Sequence, residues 1–77
     1  MLHTLHLQNS GLRGPLPELR LPALEELLLD NNELTGGLEP LLGCTMLRTL
    51  SLEENNLMPT NKDKAHFEKQ CATGFTI

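Results

Sequence analysis

The chain has 77 residues, enough for one small domain, and it contains two Phe and no Trp or Tyr. Its net charge is −4, and residues 1–58 hold eight acidic residues against three arginines. Nucleic acid is not an expected partner, because a protein that binds the phosphate backbone needs clustered Lys and Arg. No apolar run could insert into a membrane or form a secretory leader. This favours an intracellular location for the chain as given, or an extracellular one if a signal peptide lies upstream.

A spaced pattern of leucines occurs three times. Over residues 24–34 it reads L-x-x-L-x-L-x-x-N-x-L, and it recurs 22 residues earlier and 23 residues later. Each copy predicts one short strand with its leucines on one face. The three strands are predicted near residues 3–7, 25–29 and 48–52, within a repeat region that covers residues 1–58.

The asparagine of this pattern should bond backbone groups in the turn that follows each strand, because buried backbone groups need partners. Asn32 and Asn55 hold this position in the second and third copies, whereas the first copy has Ser10. A serine can make only part of these bonds. We therefore expect the first turn to be looser than the other two.

The segments after the first two turns are rich in Gly and Pro, which predicts extended chain or a short 3-10 turn there, and no long helix. Their apolar side chains are expected to point back into the core. These are Leu16, Leu19, Leu21, Leu38, Leu41, Leu42 and Met46.

The repeated pattern resembles the leucine-rich-repeat superfamily. Leu12-x-Gly14-x-Leu16-Pro17 resembles the plant-type class of these repeats, and residues 35–39 are more weakly similar to the acidic nuclear phosphoprotein type. The resemblance implies an α/β fold, a right-handed solenoid with short parallel strands on its concave face and irregular or 3-10 outer segments. It also implies a protein-binding scaffold, and no enzyme.

The composition changes after Pro59. Thr60 is a suitable helix N-cap, and residues 61–70 contain no Gly, Pro or β-branched residue, so a C-terminal helix is predicted there. Residues 72–77 then read Ala-x-x-Phe-x-Ile, like the start of another repeat. Residues 59–77 are interpreted as a capping or truncated repeat that ends in a partial fourth strand.

The strand residues between the leucines should line the concave face, where repeat proteins most often bind partners. Acidic side chains are concentrated toward the ends of the second and third strands, around one apolar residue, Leu28. This pattern indicates a site for a protein partner with a basic or polar contact surface. The candidate partner-binding residues are His6, Gln8, Glu26, Leu28, Asp30, Thr49, Ser51, Glu53 and Glu54. The alternative is that these acids only keep the sheet soluble.

No cofactor, metal or catalytic site is predicted. His3 and His6 are three apart on a strand, so they should face opposite sides and cannot hold one ion. Cys44 and Cys71 lack a neighbouring base that would make either a nucleophile, and they are expected to be buried thiols, with a bridge between them as the minor alternative.

A second function hypothesis concerns the two ends of the repeat stack. Nothing in the sequence before the first strand would cover its free edge, and solenoids usually need polar caps. The chain is therefore interpreted alternatively as a building block or as a fragment of a longer leucine-rich-repeat protein, such as a recognition ectodomain. Its main contacts would then be with further repeats or an adjoining subunit at its open ends.

Overall fold

The computed structural model describes residues 1–77 and contains seven short strands, one α-helix and one 3-10 turn. The elements are β1 (Thr4–His6), β2 (Arg13–Pro15), β3 (Glu26–Leu28), β4 (Glu33–Gly36), the 3-10 turn (Glu39–Leu41), β5 (Thr49–Ser51), β6 (Asn56–Leu57), α1 (Asn61–Gln70) and β7 (Phe75–Thr76). The strands form two parallel sheets, sheet A in the order β1-β3-β5-β7 and sheet B in the order β2-β4-β6. The predicted fold class, an α/β repeat solenoid with parallel strands and a C-terminal helix, is confirmed.

Sheet A places equivalent residues of successive repeats side by side. Leu5 pairs with Leu27, Leu27 with Leu50, and Leu50 with Phe75. Each repeat therefore forms one coil of the solenoid, and the spacing of the leucines in the sequence sets the register of the sheet. The same alternation turns the residues between the leucines to the opposite face.

Sheet B lies on the flank of the solenoid, in segments where the sequence predicted extended chain but no pairing. Its strands follow the asparagine turns, and Gly14 of β2 pairs with Leu34 of β4. Gly14 and Gly36 have φ angles of 81° and 80°, a conformation that costs glycine little and other residues more. In the first two repeats a glycine two residues after the leucine adopts this conformation, although sheet B pairs Gly14 with Leu34 and Gly36 with Leu57.

The core between the sheets is built almost entirely from leucine. Its buried members are Leu16, Leu24, Leu27, Leu29, Leu34, Leu38, Leu41, Cys44, Leu47, Leu50, Leu52, Phe67 and Cys71. Leu19 and Leu21 are partly buried against this cluster.

Two residues predicted in the core are on the surface. Leu42 is 41% exposed and Met46 is 50% exposed. The 3-10 turn has three residues per turn, so it directs Leu38 and Leu41 inward and leaves the next residue, Leu42, outside. Cys44, which is buried, takes the inward position that was expected for Met46.

Helix α1 packs on the outer side of the coils through one aromatic residue and both of its ends. Phe67 is completely buried, and its ring lies 6.2 Å from that of Phe75, measured between centroids. At the N-terminus a capping box forms, in which Thr60 Oγ accepts from the Asp63 N–H at 3.0 Å. The Asp63 carboxylate also accepts from the Leu38 N–H at 3.1 Å, which fastens the helix to the second coil. The chain has no helix with the length and apolar character needed to span a membrane.

Candidate functional site on the concave face

The concave face consists of the sheet A side chains that alternate with the core leucines, together with the residues that leave each strand. The register aligns Thr4, Glu26 and Thr49 in one column, and His6, Leu28, Ser51 and Thr76 in the next. Backbone bonds continue this alignment past the strands, because the Asn9 N–H donates to Asp30 O at 3.1 Å and the Asn31 N–H to Glu53 O at 2.8 Å. The pairing thus places His6, Glu26, Leu28, Thr49 and Ser51 in adjacent columns, and the other four candidates, Gln8, Asp30, Glu53 and Glu54, follow the ends of these strands.

His6 and Glu26 join the first two coils at one side of this surface. The His6 imidazole is hydrogen-bonded to the Glu26 carboxylate, and the two side chains are 49% and 37% exposed. Leu28, partly buried, follows His6 in its column, while Thr49 lies beside Glu26. Because its charge is engaged by the imidazole, Glu26 is less available to a partner than its position alone suggests.

Asp30 joins the second and third coils through one carboxylate oxygen. Its Oδ1 accepts from Ser51 Oγ at 2.7 Å and from the Glu53 N–H at 2.8 Å. Ser51 Oγ is in turn 2.8 Å from Thr76 Oγ1, so the chain of polar contacts reaches β7. Asp30 therefore links two coils in addition to carrying a surface charge. Thr76 belongs to the same surface although the sequence analysis did not include it; the Ala-x-x-Phe-x-Ile fragment was the signal that could have added it.

A third row lies just past the ends of the strands. Asn9, Asn31 and Glu54 occupy the equivalent position in the three coils, with φ angles of 54°, 56° and 60°. The Asn31 side-chain amide donates to the Asn9 side-chain oxygen. Asparagine tolerates this left-handed conformation, but glutamate does so only at a conformational cost. Glu54 is thus the exception in the row, and it is exposed.

The asparagines that recur in the repeat pattern fix the turns behind the concave face. Asn32 Oδ1 accepts from the Ser10 and Leu12 N–H groups, both at 3.0 Å, and Asn32 Nδ2 donates to Leu7 O at 3.0 Å and Leu29 O at 2.9 Å. Each such bond set links two coils.

Asn55 repeats this arrangement one coil later. Its Oδ1 accepts from the Leu34 N–H at 3.1 Å, and its Nδ2 donates to Leu29 O and Leu52 O. Ser10, by contrast, bonds through its hydroxyl only to Gln8 O, within its own coil, at 3.2 Å. The serine therefore makes fewer of the turn's bonds than the two asparagines do.

The charge of the concave face is negative because the arginines lie elsewhere. Each of them is near a glutamate: Arg13 with Glu33 at 2.6 Å, Arg20 with Glu18 at 2.9 Å, and Arg48 with Glu25 at 3.8 Å. The hydrogen bond from Arg13, and then its positive charge, lower the pKa of the Glu33 carboxyl. Glu53 and Glu54 carry no such neighbour among the ion pairs, and both are exposed.

Metal-ligating and nucleophilic side chains are not gathered into a site. The structure contains no group of three His, Cys, Asp or Glu side chains that could hold a metal ion. Cys44 and Cys71 are free and buried, so they do not form the disulfide that was the minor alternative. Burial raises the pKa of the Cys71 thiol, which keeps it protonated, and its Sγ donates to Leu47 O at 3.5 Å.

Comparison with known proteins agrees with this architecture. The family model described as Leucine Rich Repeat matches residues 23–45, which contain the second copy of the pattern. No curated protein and no solved structure gives a significant match. Domains of this kind generally mediate protein–protein interactions and are typically not enzymes. The match covers 23 of the 77 residues, and the parallel pairing and the asparagine bonds extend the same arrangement to the neighbouring coils.

Proposed function

We propose that the concave face binds a protein partner whose contact surface is basic or rich in amides. The observation that carries the proposal is the pair of exposed, unpaired carboxylates, Glu53 and Glu54, on a face without Lys or Arg. Arginine, lysine or amide groups of a partner would donate to them. Thr49, Ser51 and Gln8 add hydroxyl and amide groups beside the charges, and Leu28 supplies an apolar contact.

The backbone of Glu54 also supports a binding role. Equivalent positions hold Asn9 and Asn31, which are suited to a positive φ, whereas Glu54 adopts φ 60° at a cost. Strained residues are often found at functional sites, where an interaction compensates for the strain. A partner cation that contacts this carboxylate would provide that compensation.

The proposed binding mechanism relies on a concave face that is already ordered before the partner binds. The asparagine bonds and the Asp30 contacts hold neighbouring coils together before any partner arrives. Binding to such a surface orders few side chains, so less of the interaction energy is lost to entropy. The negative charge would also speed the encounter with a basic partner and make it sensitive to salt.

The test is a comparative pull-down with two charge-reversed variants. Glu53→Lys/Glu54→Lys changes the concave face and spares Asp30, whose carboxylate bridges the second and third coils. Glu39→Lys/Glu68→Lys makes the same change in net charge at two exposed sites outside sheet A. Proteins retained by the wild type and the outer variant, but lost by the concave variant, support the proposal. Equal capture by all three, or none by any, contradicts it.

The building-block alternative has one observation in its favour, the apolar surface on the outermost coils. Leu5 and Leu7 are only partly buried, and Ile77 is 48% exposed although it takes an inward position of the repeat. We also infer a plant-type subclass from Gly14 and Gly36, whose positive φ angles match the place of glycine in that pattern. Residues 59–77 would serve as a cap or as part of a further coil.

A further inference from the structure

The outer edge of β1 carries backbone groups that have no partner in the sheet. On the inner edge, the Leu7 N–H donates to Leu28 O at 2.8 Å and His3 O accepts from the Glu26 N–H at 3.1 Å. Backbone groups of successive residues in a parallel strand face opposite neighbours. The N–H and C=O groups of Thr4 and His6 therefore point away from β3, ready to pair with another strand.

The outer edge of β7 is the counterpart at the other end of sheet A. Its inner edge bonds to β5, because the Leu50 N–H donates to Gly74 O at 2.7 Å and the Leu52 N–H to Thr76 O at 2.9 Å. By the same alternation, the backbone groups of Phe75 and Ile77 face away from β5. Both edges thus present the alternating donors and acceptors of a parallel strand.

Neither edge carries the residues that usually prevent strand addition. Exposed edges are commonly blunted by proline, lysine or a bulge. Sheet B follows this rule, since its edge strand β2 ends in Pro15, whose backbone faces away from β4 and has no N–H to donate. The strands β1 and β7 contain neither proline nor lysine. Both edges of sheet A are therefore open to strand addition, whereas the β2 edge of sheet B is protected.

Apolar side chains accompany the two open edges. Beside β1 lies a cleft of about 200 Å³, lined mainly by leucines of the first two coils, including Leu5, Leu7 and Leu12. At the other end, Ile77 occupies the position that Leu29 and Leu52 hold in earlier coils, yet it is 48% exposed. One end offers an apolar recess and the other an apolar side chain.

We propose that a second copy of this chain occupies the open end, with β7 of one copy paired in parallel with β1 of the next. The register of sheet A, continued by one strand, places Phe75 opposite Leu5 and Thr76 opposite His6 of the second copy. Ile77 then enters the leucine-lined cleft. A second copy fits this edge because its β1 would continue the register that every internal junction of sheet A uses. The contact joins different surfaces of the two copies, so it lengthens into a row and does not close as a dimer.

Sedimentation velocity over a range of chain concentrations tests this association. The wild type should form dimers and longer rows as the concentration rises. Thr4→Pro removes an outward N–H and should weaken the association by about tenfold or more, since a ladder hydrogen bond and its geometry are lost. The control Thr4→Val keeps the N–H and should behave as the wild type. Circular dichroism of each variant checks that the fold is intact.

A mixing experiment distinguishes the proposed head-to-tail contact from symmetric pairing. Ile77→Lys places a charge where the apolar cleft should receive a side chain, so this variant is blocked only at its β7 end. Mixed with Thr4→Pro, it should give a one-to-one pair and nothing longer, because each variant keeps one competent end. A wild type that stays monomeric at every concentration overturns the proposal. So does self-association of either folded variant alone as strong as that of the wild type, as pairing of β1 with β1 or of β7 with β7 would produce.

Discussion

Asn32 shows at the scale of one residue how the repeat pattern becomes structure. It is 7% exposed, and its oxygen accepts from two backbone N–H groups of the first coil. Asn32→Ala should lower the free energy of unfolding by about 3 kcal/mol, because two partly buried donors lose their acceptor and a buried donor without a partner costs about 1–3 kcal/mol. Urea denaturation measures this change. Asn55→Ala is the matched comparison and should cost less, since Asn55 is more exposed and its oxygen accepts from Leu34 alone. Equal losses would contradict this ranking.

A substitution at Glu54 is expected to raise the free energy of unfolding. Glu54→Asn should raise the free energy of unfolding by about 1 kcal/mol, because the left-handed conformation costs most residues about 1–2 kcal/mol and asparagine less. The same change at Glu53, which does not have a positive φ, should bring no such gain. Thermal and urea unfolding of both variants provide the measurement. A gain at both positions would show that charge, and not backbone conformation, is responsible.

Helix α1 lies outside the leucine repeats, and Asp63 stabilises its N-terminus. This carboxylate closes the capping box with Thr60 and also accepts from the Leu38 N–H of the second coil. Thr60→Ala should cost about 1 kcal/mol, the usual loss for a helix cap. Asp63→Ala should cost about 2 kcal/mol, because a cap and a contact between elements are lost together. If urea denaturation finds equal losses, the Leu38 contact contributes nothing.

The strands and α1 could be predicted because periodicity and capping signals act locally. Leu27 and Leu50 have their places set by the spacing of the pattern, and Thr60 marks the start of the helix. Leu42 and Met46 could not be placed, because their orientation depends on how many residues the 3-10 turn uses, and a leucine-rich segment fits either register. The pairing of the outer segments into sheet B depends on stacking between coils, which no single repeat encodes.

The side-chain hydrogen bonds of the concave face could not be predicted from the sequence, although the columns of residues could. The columns follow from the period, so Glu26, Asp30 and Ser51 could be assigned to one surface. That Asp30 bridges to Ser51 and to the backbone of Glu53 depends on side-chain rotamers, which a pattern does not specify. The structure thereby separates acids engaged within the fold from those available to a partner.

The whole molecule is a short stack of coils whose surfaces differ in chemical character. The stack measures 28 × 25 × 21 Å, and its leucine core runs between two sheets. The concave face carries unpaired acids, and the edges of sheet A carry unpaired backbone groups. The proposed binding of a basic partner and the proposed association of copies would use different surfaces, so Glu53→Lys/Glu54→Lys should leave the sedimentation behaviour unchanged. Loss of association in that variant would show that the two surfaces are not independent.

The affinity of a captured partner for three forms of the chain tests the central claim most directly. Isothermal titration calorimetry would compare the wild type, Glu53→Lys/Glu54→Lys and Glu39→Lys/Glu68→Lys with the same purified partner at one salt concentration. Binding through the concave face predicts an affinity about tenfold or more weaker for the concave variant, because two attractive charges become repulsive, and little change for the outer variant. Equal affinities for all three forms, or a larger loss in the outer variant, would contradict binding through the concave face.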